Sequence, residues 1–173
     1  MTTTPFKTPE QLLAELENLN IQSRTITHEA VMTVEDNQAQ RGAAPGHHSK
    51  NLFLKDKKKQ LWLVVVDEDC PVDLKRLRRQ LGVSNLSFAK AGALLDALGV
   101  LPGSVTPFAV INDPDQQVRV VLDNNLIGTG SVSFHPLVNT MTTTITGDDL
   151  LIFLRATSHE PLVIDFANDD ENT

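Results

Sequence analysis

The chain has 173 residues, enough for one domain with a buried core, and 40% of them are hydrophobic, an ordinary share for a soluble globular protein. Its net charge of −7 argues weakly against nucleic-acid binding, and its single cysteine, Cys70, excludes an internal disulfide and a multi-cysteine zinc site. The opening "MTTTPFKTPEQ" lacks the basic-then-apolar pattern of a secretory signal, and no apolar run approaches the roughly 20 residues that span a bilayer, so a cytoplasmic protein without membrane contact is expected.

"TPEQLLAELENL" predicts a helix. Thr8 can cap it, Pro9 takes the first helical position, Gln11 completes a capping box, and Leu12, Leu13, Leu16 and Leu19 form one apolar stripe. "SRTITHE" alternates as a strand, and "TVEDNQAQ" reads as a short helix capped by Thr33. A loop with Gly42, Pro45 and Gly46 leads to two strands, "KNLFLKD" and "QLWLVVVDE", joined by a lysine-rich turn. Their nearly unbroken apolar runs suit strands buried on both faces. Two helices are expected next, from Asp73 to about Leu81 and from Ser87, as cap, to about Leu98 before Gly99. After "LPGSVTP", the segments "FAVIND", "QVRVVLD" and "SVSFHPL" are strand-like. "MTTTITGDDLLIFLRATS" then gives a strand and a helix with Thr146 as cap, and "PLVIDF" a last strand. The acidic tail 167–173 is expected to fray. With no repeat and no linker, one mixed α/β domain is expected over 1–173, its core at about 8–166.

Charge is unevenly spread. Residues 50–90 hold ten of the fifteen Lys and Arg but five of the twenty-two acids, so that segment is +5 and the remainder −12. A basic face on an acidic protein suits phosphate, with Lys57, Lys58, Lys59, Arg78 and Arg79 as candidate contacts; a hairpin turn and an amphipathic helix that need solvated faces explain the same residues.

The common catalytic signatures are absent: no GxGxxG after a strand, no P-loop, no HExxH, no GxSxG. His47 and His48 are adjacent on an extended chain and point opposite ways, so they do not share a metal, and no metal site is expected. Cys70 has no neighbouring base to activate it. Three stretches remain. "GHHSKNLFLKD" puts Lys50 and Asn51 at the start of a buried strand, where their directions are fixed. "PGSVTP", residues 102–107, is a restricted loop: two prolines hold it, Gly103 allows an unusual φ or a close ligand approach, and Ser104 and Thr106 carry hydroxyls. "SFHPLVNT" holds His135 extended ahead of a proline, with Asn139 close by. Each also has a purely structural reading, as strand start, helix-to-strand connection and strand-end histidine.

Taken together, "GHHSKNLFLKDKKKQLWLV", "GVLPGSVTPFAVIND" and "SFHPLVNTMTTTITGDDLLIFL" resemble, in order and spacing, the editing-domain superfamily related to the insertion domain of bacterial prolyl-tRNA synthetase. The likeness runs from about Thr8 to Phe166 and is nearest to the free-standing Ala-tRNA(Pro) deacylases. It implies a compact α/β domain with a central mixed, partly barrel-like sheet and flanking helices. It also implies a hydrolase acting on the aminoacyl ester at the acceptor end of tRNA(Pro), without a cofactor, and prolyl-tRNA synthetase as a further partner.

On this resemblance Lys50 matches the family's essential lysine, Asn51 its neighbour, and Gly103, Ser104, Val105, Thr106 and Pro107 its GxxxP loop. His135 matches the pocket histidine of the alanine-editing branch, with Asn139 nearby, and Val31, Met32 and Thr33 would line the wall that gauges the amino-acid side chain. "HEAVMTVED" departs from the family pattern, which often carries proline near Glu29 and Ala30. The ester is already activated, so water can attack it with help from loop N–H groups and the terminal ribose hydroxyl. Lys50 and Asn51 would hold a phosphate, ribose or carbonyl oxygen against the loop. The alternatives are the same fold acting on Cys-tRNA(Pro) or Ser-tRNA, and a silent tRNA- or nucleotide-binding module.

Overall fold

The structure, a computed structural model, describes residues 6–29 and 47–166. Helix α1, Pro9–Asn18, starts with the expected capping box: Thr8 accepts from the Gln11 N–H, and the Gln11 side chain accepts from the Thr8 N–H. Strand β1 is Arg24–Thr27, and a hairpin follows, β2 His47–Asp56 and β3 Leu61–Asp67. Helix α2 is Leu74–Leu81, β4 Leu86–Phe88, and α3 Ala91–Leu98. Then come β5 Val118–Asp123, β6 Val132–Phe134, β7 Met141–Ile145, α4 Gly147–Ala156 and β8 Leu162–Ile164.

The strands form one mixed sheet in the order β1-β7-β6-β2-β3-β5-β8, with β4 also beside β2. Strand β2 is its hub. One edge pairs antiparallel with β3 from Ser49 to Lys55. The other edge is shared: β6 runs parallel to it at His47 and His48, and β4 antiparallel at Leu54 to Asp56. Strands β3, β5 and β8 are mutually parallel, so their C-terminal ends meet at one edge of the fold, beside the start of β2.

The unbroken apolar runs follow from burial of both faces. Phe53, Leu63, Val65, Val120 and Leu122 face a core with Leu12 and Leu16 of α1, Leu94 and Leu98 of α3 and Phe153 of α4. Their alternates Leu54, Trp62, Val64, Val66 and Val121 face a second, smaller core with Leu77 of α2, Ile164 and Phe166. Phe108 joins the first core edge-on to Phe134 and Phe153, with centroids 5.5 and 5.4 Å apart.

Two expected elements differ. Ser87 does not cap a helix; it lies in β4, pairs with Lys55, and α3 begins at Ala91 after Lys90, which makes no side-chain cap. "FAVIND" is not a strand but part of a 3-10 segment, Pro107–Asn112, opened by Thr106, whose hydroxyl accepts from the Phe108 N–H. Phe108, Ala109 and Val110 are all buried, and three buried apolar residues in a row mimic a strand. The short helix expected after Thr33, the loop with Gly42, Pro45 and Gly46, and the tail 167–173 lie outside the described residues.

Candidate functional site

Register decides where each candidate side chain goes. Lys50 pairs with Val66, which belongs to the second core, and Asn51 with Val65, which belongs to the first. The two therefore leave β2 on opposite faces. Lys50 reaches across β3, and its Nζ donates to the Cys70 carbonyl at 2.7 Å. This uses one of its three N–H bonds. Around it stand the carboxylates at the ends of the three parallel strands. Asp123 is fully buried and accepts from the Asp67 N–H at 3.2 Å and the Asn125 N–H at 2.9 Å. Burial pushes the Cys70 thiol up; the charges of Asp123, Asp67 and Asp165 push the same way, and that of Lys50 opposes them. A neutral thiol fits no nucleophilic role. The C-terminal ends of parallel strands are where α/β sheets hold ligands, and Lys50 is the cation stationed there.

Asn51 has a different setting. The Ser49 hydroxyl donates to the Ser133 carbonyl at 3.1 Å, so towards Asn51 it can only accept, and Nδ2 of Asn51 donates to it at 3.2 Å. That fixes the amide orientation and leaves Oδ1 of Asn51 buried with no partner among the described residues. The 102–107 loop is on this side too, since Val105 and Phe108 pack in the first core. Gly103 is exposed, and a Cβ there would lie 3.2 Å from Nδ2 of Asn139, so close approach, not a left-handed φ, is what glycine serves. Ser104 and Thr106 are buried, and the Ser104 N–H is committed to the Leu101 carbonyl at 2.8 Å. The expected pairing of Lys50 with the loop is thus not made: the loop shares its face with Asn51.

Lys50 instead shares a face with His135. The rung His48–Ser133 joins β2 to β6, and two residues further along each strand come Lys50 and His135. Val132 and Phe134 alternate into the first core, so Ser133 and His135 face away from it. Strand β7 continues this polar face. The hydroxyls of Ser133 and Thr144 are 2.7 Å apart, and Thr142 contacts Nε2 of His28 at 2.7 Å. Nδ1 of His135 lies 2.9 Å from the Met141 carbonyl, and the His28 and His135 rings are 6.2 Å apart. Burial pushes His135 below the ordinary histidine value; its bond to Met141 opposes this, and the nearby His28 adds to it. Pro136 follows, then Leu137 with φ of 73°, a strained value held in place by burial of its side chain.

Ser133, Thr142, Thr144 and His28 were not singled out by the sequence reading. The signal lay in "MTTTIT" and "TITHE", where hydroxyl and imidazole groups alternate with core residues. Val31, Met32 and Thr33 lie outside the described residues.

The basic residues form a track away from this face. Helix α2 begins just beyond Cys70 and ends by the β2–β3 turn, where the Lys57 N–H donates to the Ser84 carbonyl at 2.9 Å. Lys57, Lys58, Lys59 and Arg79 are exposed and Arg78 is half-buried. Lys57 is seven residue steps along the chain from Lys50, about 23 Å at 3.3 Å per residue.

The fold as a whole is similar to solved structures. A solved structure proposed as a trans-editing enzyme for prolyl tRNA synthetase superposes with a TM-score of 0.70, covering 95% of this chain and 98% of the other at 21% identity. The structure of hypothetical protein APE2540 superposes with a TM-score of 0.71 over 89% of this chain and 97% of the other, at 18% identity. These define the fold class. Residues 28–153 match the profile of the aminoacyl-tRNA editing domain, and the chain belongs to that family. Among its relatives, prolyl-tRNA synthetase associated domain-containing protein 1 of Mus musculus is 41% identical, over 90% of this chain and 97% of the relative. Prolyl-tRNA editing protein ProX of Acetoanaerobium sticklandii is 37% identical over 85% of this chain and 90% of the relative.

Proposed function

We propose that the protein is a trans-editing deacylase that hydrolyses the ester of mischarged Ala-tRNA(Pro) in the cytoplasm, working alongside prolyl-tRNA synthetase. Membership of the editing-domain family supports the reaction class. The observation that carries the site is the shared polar face, with Lys50 in β2 and His135 just past the end of β6, each two residues beyond the paired His48 and Ser133.

In this reading the acceptor end lies over that face. Two N–H bonds of the Lys50 ammonium remain for a phosphate or ribose oxygen, as a point charge on a strand can supply. Water attacks the ester carbonyl, and loop N–H groups other than the committed one of Ser104 are the candidate donors to the developing oxyanion. The terminal ribose hydroxyl assists. Asn51 and Asn139 position the loop, and Val31, Met32 and Thr33 gauge the side chain. An alanine pocket excludes proline by size. Glycine is a harder case, because one methyl group is worth only about 1–3 kcal/mol of discrimination.

Cys-tRNA(Pro) and Ser-tRNA are the competing substrates within the same reading, and "SFHPLVNT" favours alanine over both. A deacylation panel over Ala-, Cys-, Ser- and Pro-tRNA(Pro) tests it. Preferential release of alanine supports the proposal; preferential release of cysteine or serine moves the substrate; binding without release of any amino acid leaves a tRNA-binding module.

A further inference from the structure

The polar face carries a proton acceptor already set in one protonation pattern. The Met141 carbonyl can only accept, so the Nδ1 it faces at 2.9 Å must carry the proton of His135. In the neutral ring that leaves the lone pair on Nε2, which has no hydrogen-bond partner among the described residues. His28 is arranged differently. Its Nδ1 donates to the Glu29 carbonyl at 2.7 Å, and its Nε2 is occupied by the Thr142 hydroxyl at 2.7 Å. Among the described residues, both ring nitrogens of His28 have partners, whereas Nε2 of His135 has none and can serve a ligand.

The surroundings hold that nitrogen in place. Phe134 before it is buried in the first core, Pro136 after it limits the backbone, and Leu137, left-handed at φ 73°, is buried as well. The ring can neither swing freely nor exchange its tautomer without breaking the bond to Met141. The ionisable groups on the same face are Arg24 and His28 from β1 and its end, His48 and Lys50 from β2, and Glu68, opposite His48 just past β3, with the carboxylates of Asp67, Asp123 and Asp165 beyond Lys50; β7 contributes the hydroxyls of Thr142 and Thr144. Burial, and after it the nearby His28, favour the neutral ring of His135.

We propose that Nε2 of His135 is the proton acceptor for the attacking water, a catalytic role beyond lining the pocket. The inference rests on the deacylase reading above. The oxygen of water bonds to the ester carbonyl carbon, and one of its protons passes to Nε2. As the tetrahedral species collapses, the carbon–oxygen bond to ribose breaks and the same proton passes from Nε2 to the departing ribose oxygen. The products are the free amino acid and a tRNA hydroxyl, and the imidazole is restored. General acid–base help of this kind is worth about 100- to 10,000-fold.

The test is the single-turnover rate of Ala-tRNA(Pro) deacylation against pH for wild type, His135→Asn and His135→Gln. Asparagine can keep a donor near the Nδ1 position, and so the bond to Met141, while lacking Nε2. The wild-type rate should rise with pH as Nε2 loses its proton, with a midpoint below the ordinary histidine value. His135→Asn should bind tRNA as wild type does, lose about 100-fold or more in rate, and lose that midpoint. His135→Gln should lose the midpoint as well. A rate within a few-fold of wild type, with the same midpoint, in folded His135→Asn or His135→Gln protein would overturn the assignment and leave deacylation intact. Wild-type protein that releases no amino acid from any aminoacyl-tRNA would overturn the deacylase reading, and this inference with it.

Discussion

Lys50 and Asn51 are neighbours in β2 yet serve opposite faces of the sheet: Nζ of Lys50 reaches the Cys70 carbonyl at 2.7 Å, and Nδ2 of Asn51 reaches the Ser49 hydroxyl at 3.2 Å. Their substitutions should therefore act differently. Lys50→Met keeps the apolar stem and removes the charge. It should lower the deacylation rate by about 100-fold or more, the loss seen when one donor to a reacting centre is deleted. A charged hydrogen bond to a half-buried carbonyl is lost, so stability should fall by about 1.5–3 kcal/mol. Urea melts and single-turnover rates measured on one preparation check both. Full activity in folded Lys50→Met protein would remove Lys50 from the site.

The β2–β3 hairpin is fastened by Asp56. Its Oδ1 accepts from the Lys58 and Gln60 N–H groups at 2.8 and 3.0 Å, and its Oδ2 from the Trp62 indole at 3.2 Å. The carboxylate is 8% exposed, so Asp56→Ala strands three donors with little water to replace it. A loss of about 2–4 kcal/mol is expected, from charged hydrogen bonds worth about 1.5–3 kcal/mol each that do not add fully. Chemical denaturation measures it, and a loss under 0.5 kcal/mol would contradict this role for the turn.

Gly147 opens α4 where its N–H donates to the Thr129 carbonyl at 2.9 Å. A Cβ there would run into the carbonyl oxygen of Leu126, a backbone atom that cannot rotate aside. Gly147→Ala should destabilise the protein by about 1–3 kcal/mol, the usual range for overpacking, although alanine is the better helix former. A thermal melt unchanged or raised by the substitution would show that the segment before α4 yields easily.

Most of the architecture could be read from local chemistry. Thr8, Asp73 and Thr146 do cap α1, α2 and α4, each accepting from an N–H of the first turn. Lys90 gave no such signal, so Ser87 drew the start of α3 three residues early, onto a strand recognisable only by its pairing with β2. The site was legible in its residues but not in its grouping. Lys50, Asn51, the glycine loop and His135 stood out as polar groups on restricted backbone. Which of them converge depends on strand parity across β2, β6 and β7, and on a parallel β2–β6 contact of two residues that no local pattern announces.

The basic track should act through charge alone. If Lys57, Lys58, Lys59, Arg78 and Arg79 touch the tRNA backbone, each contact releases counterions, and log affinity should fall with log salt by about 0.7–0.9 per contact. Neutralising all five should flatten that slope and weaken cognate and non-cognate tRNA alike. The hairpin turn is about 23 Å along the chain from Lys50, so turnover at saturating tRNA should hardly change. Equal slopes for wild type and the neutralised variant would mean that these residues are only a solvated surface.

The central claim is that the face shared by Lys50 and His135 hydrolyses a mischarged aminoacyl ester. The most direct measurement is release of amino acid from tRNA(Pro) charged separately with alanine, cysteine, serine and proline, at equal enzyme, by wild type and Lys50→Met. Wild type should release alanine fast and proline little, and the variant should lose the alanine activity. Release of no amino acid by wild type, or alanine release untouched by Lys50→Met, would contradict that claim.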